Sequence, residues 1–405
     1  MKKIICPFCF HKFRKADVWF RCDNNSCSHK SEDKALNDFW GQNQQRKNLA
    51  FKPEGFSLFG SESAKCPKCK TSTLKVICPE CHNSLFKDMI DEDSTIISII
   101  GGQSSGKTNY ITVLIQELLN RCYTFDAAIT EITACGDVYD ANTGKAYNTA
   151  HRYREDFYNQ LYNQKVCHAA TRRDAFSNRI PLIYRLVIGK HKKSVFLVFY
   201  DTAGENFHTA DEIRKNAEFL KNSAGIIFLL DTFGIDDVNK KLGNISNKSY
   251  RYIFDPVVNY MQNNMSSAEQ NEFKKKPLAL AFSKIDTILN DKNYDIPGIN
   301  MQTNSSFLSD EKISLNDLYA MHIGLNDTLR GKWDEKMFLK NIKTNLGEKV
   351  CFFGFSALGE MPNIDGSIKN VKPYRVLDPL VWILHELGYP IPLKKEKTMK
   401  KDIKV

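Results

Sequence analysis

Eight of the twelve cysteines lie within residues 1–81, and they come in pairs. The pairs are Cys6-Pro-Phe-Cys9, Cys22 with Cys27, Cys66-Pro-Lys-Cys69 and Cys78-Pro-Glu-Cys81. A Cys-x-x-Cys turn brings two sulfurs within reach of one ion. Two such turns complete a closed tetrahedral four-sulfur site, which suits structural zinc and leaves no position for catalysis. The N-terminus has no apolar signal core, so these pairs read as metal sites rather than as disulfides. Taken in chain order they predict two structural Zn2+ sites, one from Cys6, Cys9, Cys22 and Cys27, the other from Cys66, Cys69, Cys78 and Cys81. His11, His29 and His82 are candidate substitute ligands, although an exposed loop histidine is the ordinary reading of each. A redox role is the weaker reading, because every pair has a matching second pair.

The second concentration of chemistry is Gly101-Gly-Gln-Ser104-Ser105-Gly106-Lys107-Thr108, the P-loop pattern. Glycines at Gly101 and Gly106 let backbone N–H groups wrap a phosphate chain. Ser104, Ser105 and Asn109 belong to the same wrap. Lys107 reaches the outer phosphates and the Thr108 hydroxyl holds Mg2+. Three further motifs follow. Asp201-Thr-Ala-Gly204 offers a carboxylate for Mg2+ and an N–H for a terminal phosphate. Ser283-Lys284-Ile-Asp286 offers a carboxylate able to accept from the N1–H and 2-amino group of guanine, donors that adenine lacks, with the Lys284 stem lying along the base. Ser356-Ala357-Leu358 offers a backbone N–H to the guanine oxygen.

These residues need elements to carry them. The β-branched run 95–100 predicts a buried strand, and apolar residues at 111, 114, 115, 118 and 119 predict a helix after the loop. Runs 181–188 and 194–200, joined by a short polar connector, predict an antiparallel hairpin. Runs 225–230, 278–282 and 350–355 predict further strands. Each motif then falls at the carboxyl end of a strand, the ligand edge of a parallel α/β sheet. Agreement of order, position and ligand makes accident a poor account.

On these motifs the chain resembles the translation-factor-related (TRAFAC) class of P-loop GTPases, over roughly residues 94–390. More narrowly it is similar to bacterial double-GTPase-type proteins of biological conflict systems. The zinc-ribbon head and the closing Arg375-Val-Leu-Asp378-Pro-Leu380 carry that narrower match. The resemblance implies an α/β fold, a three-layer sandwich around a mostly parallel sheet, preceded by small zinc ribbons. It implies GTP and GDP as ligands, Mg2+ as cofactor, hydrolysis to GDP and phosphate, and the behaviour of a molecular switch. Lys107, Thr171, Gly204 and Glu205 would be the catalytic group, with Mg2+ held by Thr108, Asp201 and Thr171. The switch threonine is ambiguous, and Thr143 and Thr149 stay open beside Thr171. The sequence departs from the class in three ways. Ser283 replaces the usual Asn or Thr. Glu205 stands where Ras-like enzymes carry a water-orienting Gln. About 90 residues separate Thr108 from Asp201.

The expected organisation is a first ribbon at 1–30, a packed linker at 31–62 and a second ribbon at 63–90. The GTPase domain follows at 91–392, with helical insertions near 122–178 and 287–349, then a basic tail at 393–405. The net charge is +10, but it sits at the ends. Residues 1–90 hold 16 Lys/Arg against 9 Asp/Glu, and zinc thiolates would offset most of that excess. Charge therefore gives weak support to nucleic-acid binding through the head, and a protein effector is the better partner. No apolar run is long enough for a membrane helix, and the want of a secretory signal makes a cytoplasmic protein the expectation. Two rivals remain, a GTP-regulated scaffold with negligible hydrolysis and a nucleic-acid-binding zinc module.

Overall fold

The computed structural model describes residues 3–41, 47–54, 62–91, 95–102, 104–132, 148–169, 180–191, 193–200, 217–243, 249–289, 304–310, 312–347 and 349–397, with 246, 296 and 299. Seven strands form the central sheet: β1 (Ile96–Gly101), β2 (Ala127–Glu131), β3 (Leu182–Ile188), β4 (Lys193–Phe199), β5 (Gly225–Asp231), β6 (Leu278–Ser283) and β7 (Val350–Gly354). Their spatial order is β2-β3-β4-β1-β5-β6-β7. Only β3 runs against the rest, as the middle of two antiparallel ladders, with β2 on one side and β4 on the other. The predicted hairpin is therefore β3–β4, with Leu182 opposite Phe199. β2 lies inside the stretch expected to be a helical insertion, which is a correction. Its sequence, Ala-Ala-Ile-Thr-Glu, has no apolar run because it is a half-exposed strand that, among the described residues, pairs with β3 alone.

Both faces of the sheet are covered. The helices that matter here are α1 (Lys107–Arg121), α2 (Thr149–Arg152, continuing in π-helical form over Tyr153–Asn163), α3 (Arg251–Asn264), α4 (Leu315–Arg330), α5 (Lys336–Asn345) and α6 (Asp378–Glu386), beside shorter ones. On one face Ile97, Ile99, Leu197, Leu229 and Phe353 pack with α1, α2 and α6. On the other, Ile96, Phe228, Phe282 and Phe352 pack with α3 and α5. The alternation follows the two-residue period of a strand. Helix α4 packs on β7, where Nδ1 of His322 accepts the Phe352 N–H at 2.9 Å. Burial lowers the His322 pKa to about 4, so the ring is neutral and able to accept. Among the described residues no helix is long and apolar enough to cross a membrane.

The N-terminal head centres on a small antiparallel sheet, Trp19–Arg21 between Ala50–Phe51 and Val76–Ile77. Its cysteines group as Cys6, Cys9, Cys78 and Cys81, and as Cys22, Cys27, Cys66 and Cys69. This corrects the chain-order pairing. Trp19 faces Ile77 and Phe20 faces Val76, so the antiparallel ladder sends Cys22 and Cys78 to opposite ends. Each must then close with cysteines from the other half of the head. The two groups contain no histidine. His82 instead places Nδ1 2.7 Å from Asp33, whose other oxygen meets Arg21 at 2.7 Å. Burial alone would raise the Asp33 pKa, but hydrogen bonds from His82 and Arg21 outweigh it and hold it at about 2. Asp33 also caps the helix Lys34–Trp40 through the Leu36 N–H, which ties the linking segment to the head.

The head also completes the body. Ile4, Phe8 and Phe10 share one core with Ile183, Phe196 and Val198 of the hairpin. Strands joined by a tight turn bring no crossover helix to that face, and the head supplies the cover. Tyr200 donates its hydroxyl to the carbonyls of Pro7 (2.8 Å) and Phe8 (2.9 Å). Asn222 donates to Phe10 O at 2.8 Å, and Arg185 pairs with Asp88 at 3.4 Å.

Candidate functional site

The loop after β1 has the shape its sequence demands. A Cβ on Gly101 would lie 2.6 Å from Ser105 Oγ and 3.0 Å from Leu229 Cβ, so no side chain fits there. Ser104 and Gly106 are left-handed, with φ of 67° and 72°. The Ser105 N–H and hydroxyl both bond Gly102 O, at 3.2 and 2.7 Å. Helix α1 begins at Lys107, and the residue before it is Gly106, which makes no side-chain cap. The positive dipole end of α1 therefore lies at this loop, where an anion would be favoured.

Across the cavity, the turn after β6 is held from below. Lys284 is left-handed (φ 59°). Its ammonium lies 3.1 Å from Asp231 and 4.7 Å from the Phe233 ring centroid. Ser283 donates to Leu230 O at 3.2 Å. Asp286 is buried, and burial raises its pKa, while hydrogen bonds from Ser356 and from backbone N–H groups partly oppose that rise. The loop after β7 is tied to this turn through Ile285 N–H to Phe355 O (3.2 Å) and Phe355 N–H to Phe282 O (2.9 Å). Gly359 N–H donates to the Ser356 hydroxyl at 2.8 Å.

One cavity of about 370 Å³ joins these parts. Ser104, Ser105, Gly106, Lys107, Thr108 and Asn109 line one side, and Ser283, Lys284, Asp286, Ser356, Ala357 and Leu358 line the other. Gly101 lies beneath, in β1. Sequence reasoning missed Phe233, Cys167, His168 and Ala169, which also line it. Phe233 carried a signal, as an aromatic two residues beyond an aspartate at a strand end. Residues 167–169 carried none, because tertiary contacts bring them there. His168 N–H donates to Asn109 Oδ1 at 3.0 Å, and Cys167 N–H to Gly366 O at 2.9 Å. Asp201, Gly204, Glu205, Thr171 and Thr143 lie outside the described residues. Thr149 is buried at the start of α2, where its hydroxyl accepts the Ile183 N–H at 3.2 Å.

The two sulfur groups fit zinc by their spacing. Four thiolates on a tetrahedral ion at about 2.3 Å stand about 3.8 Å apart. Cys6–Cys81 and Cys9–Cys78 are 3.7 Å apart, and Cys22–Cys69 is 3.6 Å. Phe8 and Glu80 N–H groups point at Cys6 and Cys78 sulfurs at 3.4 Å. Such donors favour the thiolate that a metal needs.

Residues 95–318 match the family described as Double-GTPase 2. A relative from Mycolicibacterium smegmatis, "Putative ESX-1 scaffolding and assembly protein SaeC", is 23% identical over 325 residues, which is 77% of this chain and 80% of that protein. Among solved structures, the GTP-bound GTPase-like domain of S. cerevisiae Ski7 is 12% identical with a TM-score of 0.30. That match covers 75% of this chain and 51% of the Ski7 chain, about half its length. The G domain of the T. maritima FeoB iron transporter is 9% identical with a TM-score of 0.27, covering 73% and 99%.

Proposed function

The chain belongs to the Double-GTPase 2 family, and from that premise we propose that it binds GTP in the cavity between the P-loop and the turns after β6 and β7, and hydrolyses it as a molecular switch. The observation that carries this reading is the shared cavity, which the phosphate loop and the buried carboxylate of Asp286 both line. Lys107 and the N–H groups of the loop hold the phosphates. Asp286 accepts the guanine N1–H and 2-amino group, Lys284 lies along the base, and the backbone at Ala357 and Leu358 faces the guanine oxygen. Thr108, Asp201 and Thr171 are the residues that would hold Mg2+, which when bound offsets phosphate charge. Water attacks the γ-phosphorus and the bond to the β-phosphate oxygen breaks, giving GDP and phosphate. Lys107 and the N–H groups, Gly204 included, stabilise the charge that moves onto the leaving oxygens. The resemblance of head and closing motif supports a bacterial conflict or defence setting, with an effector bound through the head or the insertions.

The test is competition between GTP and ATP for the purified protein, with Asp286→Asn beside it. GTP should win over ATP, and the variant should weaken GTP and gain xanthine nucleotide, whose 2-oxo group needs a donor. Equal affinity for ATP and GTP would overturn the guanine reading.

A second reading, a GTP-controlled scaffold with negligible intrinsic hydrolysis, is favoured by Glu205. A carboxylate beside the γ-phosphate is repelled by it and cannot donate to the attacking water while ionised. The name of the M. smegmatis relative, a putative scaffolding and assembly protein, points the same way. Single-turnover hydrolysis separates the readings. A scaffold leaves GTP intact, and Glu205→Gln accelerates cleavage.

A further inference from the structure

The closing motif Arg375-Val-Leu-Asp378-Pro-Leu380 has no role in the reaction above, and none of its residues lines the cavity. It nevertheless holds an unusual backbone. Arg375 is buried and left-handed, with φ of 51°. A residue with a side chain seldom adopts that conformation and keeps it only where its surroundings over-determine it.

The surroundings do so from three sides. Arg375 N–H donates to Asn304 Oδ1 at 3.0 Å. Its guanidinium forks between Asp378 at the start of α6 (2.8 Å) and Asp317 in the first turn of α4 (2.5 Å). The second oxygen of Asp378 takes the Ser305 hydroxyl, and that of Asp317 takes the Ser306 N–H at 3.1 Å. Asn304 also donates to Pro373 O at 3.1 Å.

What this network fixes is the next residue along. Tyr374 pairs with Ser356 in both directions, N–H to carbonyl at 2.8 and 3.0 Å, and Lys372 N–H meets Leu358 O at 2.8 Å. Residues 372–374 therefore form a splint along the loop 356–358. On its far side Val376 O receives the Tyr110 hydroxyl of α1 at 3.0 Å, which ties the splint to the helix behind the phosphate loop. Ser356 and Asp286 line the same cavity, close enough that the Ser356 hydroxyl counters part of the rise that burial gives the Asp286 pKa.

We infer that the Arg375–Asp378–Asp317 network is the positioning device for guanine recognition: through Tyr374 it fixes Ser356 against Asp286 and so sets the preference for the guanine 2-amino group. The inference rests on the GTP reading above. A lysine cannot replace the arginine, because an ammonium lacks the planar fork that spans two carboxylates.

The experiment uses the full-length, zinc-loaded protein and measures affinities for GDP, IDP and ADP. IDP lacks only the 2-amino group, so the GDP/IDP ratio reports the geometry at Asp286 while ribose and phosphates stay constant. Arg375→Lys and Asp317→Asn should each lower that ratio about tenfold, equivalent to about 1.4 kcal/mol, beyond any loss at the N1–H and 6-oxo contacts that IDP shares with GDP. Should Arg375→Lys fail to fold, Asp317→Asn decides, since its side chain is 24% exposed. Glu335→Gln, which breaks the remote Arg251–Glu335 pair, is the control for general destabilisation and should leave the ratio alone. A wild-type ratio in Arg375→Lys and Asp317→Asn overturns the inference. So does an equal drop in Glu335→Gln. Failure of the GTP reading itself appears elsewhere, as equal GDP and ADP affinity in the wild type.

Discussion

Burial raises the proton affinity of Asp286, yet a carboxylate must be ionised to accept both guanine N–H groups. The free site therefore gains a proton at a higher pH than an ordinary aspartate would, and the bound site, with two donors facing the charge, gains it later. Binding releases a proton in that window, so GDP affinity should fall as pH drops through the free-site pKa. The phosphates also titrate, and Asp286→Asn supplies the control because it keeps them and lacks the carboxyl. Affinity measured from neutral pH downward, through the acid limb to the limit of folding, should fall more steeply in the wild type; parallel curves would remove Asp286 from base recognition. The place of Asp286 in the cavity was legible in the sequence because the guanine contact expected there needs one residue type at one spacing after a strand. Ser104 to Asn109 and Ser356 to Leu358 were legible for the same reason. Cys167 and His168 were not, since a hydrogen bond to Asn109, 59 positions away, brings His168 to the cavity. Arg375 and Asp378 were visible as a motif, but the arrangement depends also on the carboxylate of Asp317, which no spacing rule connects to them.

Strand β1 and helix α1 announce themselves through a β-branched run and a helical apolar stripe, whereas β2 hides because a half-exposed strand needs no such run. The zinc turns show the same division. Each Cys-x-x-Cys is followed by a left-handed residue, Phe10, Lys70 or His82, and each first cysteine accepts that residue's N–H. Three turns so alike are readable as ligands and unreadable as partners, because any can close with any other. The ladder between Trp19–Arg21 and Val76–Ile77 makes the choice. Zinc stoichiometry should expose it. Changing Cys6 and Cys78 together to serine should remove one of two ions, since both belong to one group, and chain-order pairing would lose both. Cys6→Ser with Cys22→Ser should lose both. Elemental analysis of the purified variants distinguishes the schemes.

At the scale of the whole molecule the head is a layer of the sandwich. A fragment starting at residue 91 would bare Ile183, Phe196 and Val198 to water, and Tyr200 and Asn222 would lose their carbonyl partners. That fragment should melt lower and aggregate more readily than the full chain. Chelation of zinc should lower nucleotide binding in the full chain too, because a ribbon of this size folds with its metal. A fragment as stable and as competent for GDP as the full chain would sink this view. The body remains legible as an α/β sheet without the head, since its strands announce themselves, but the face that the head covers is invisible until the topology joins β3 to β4 by a tight turn with no crossover helix between them. The shared core has an evolutionary consequence. Gene fusion moves a domain easily when its surface is finished, and here the surface at the hairpin is finished by another segment. A recombination that carried the nucleotide domain alone would inherit a bare apolar face, so head and body are expected to be exchanged between genes as one unit.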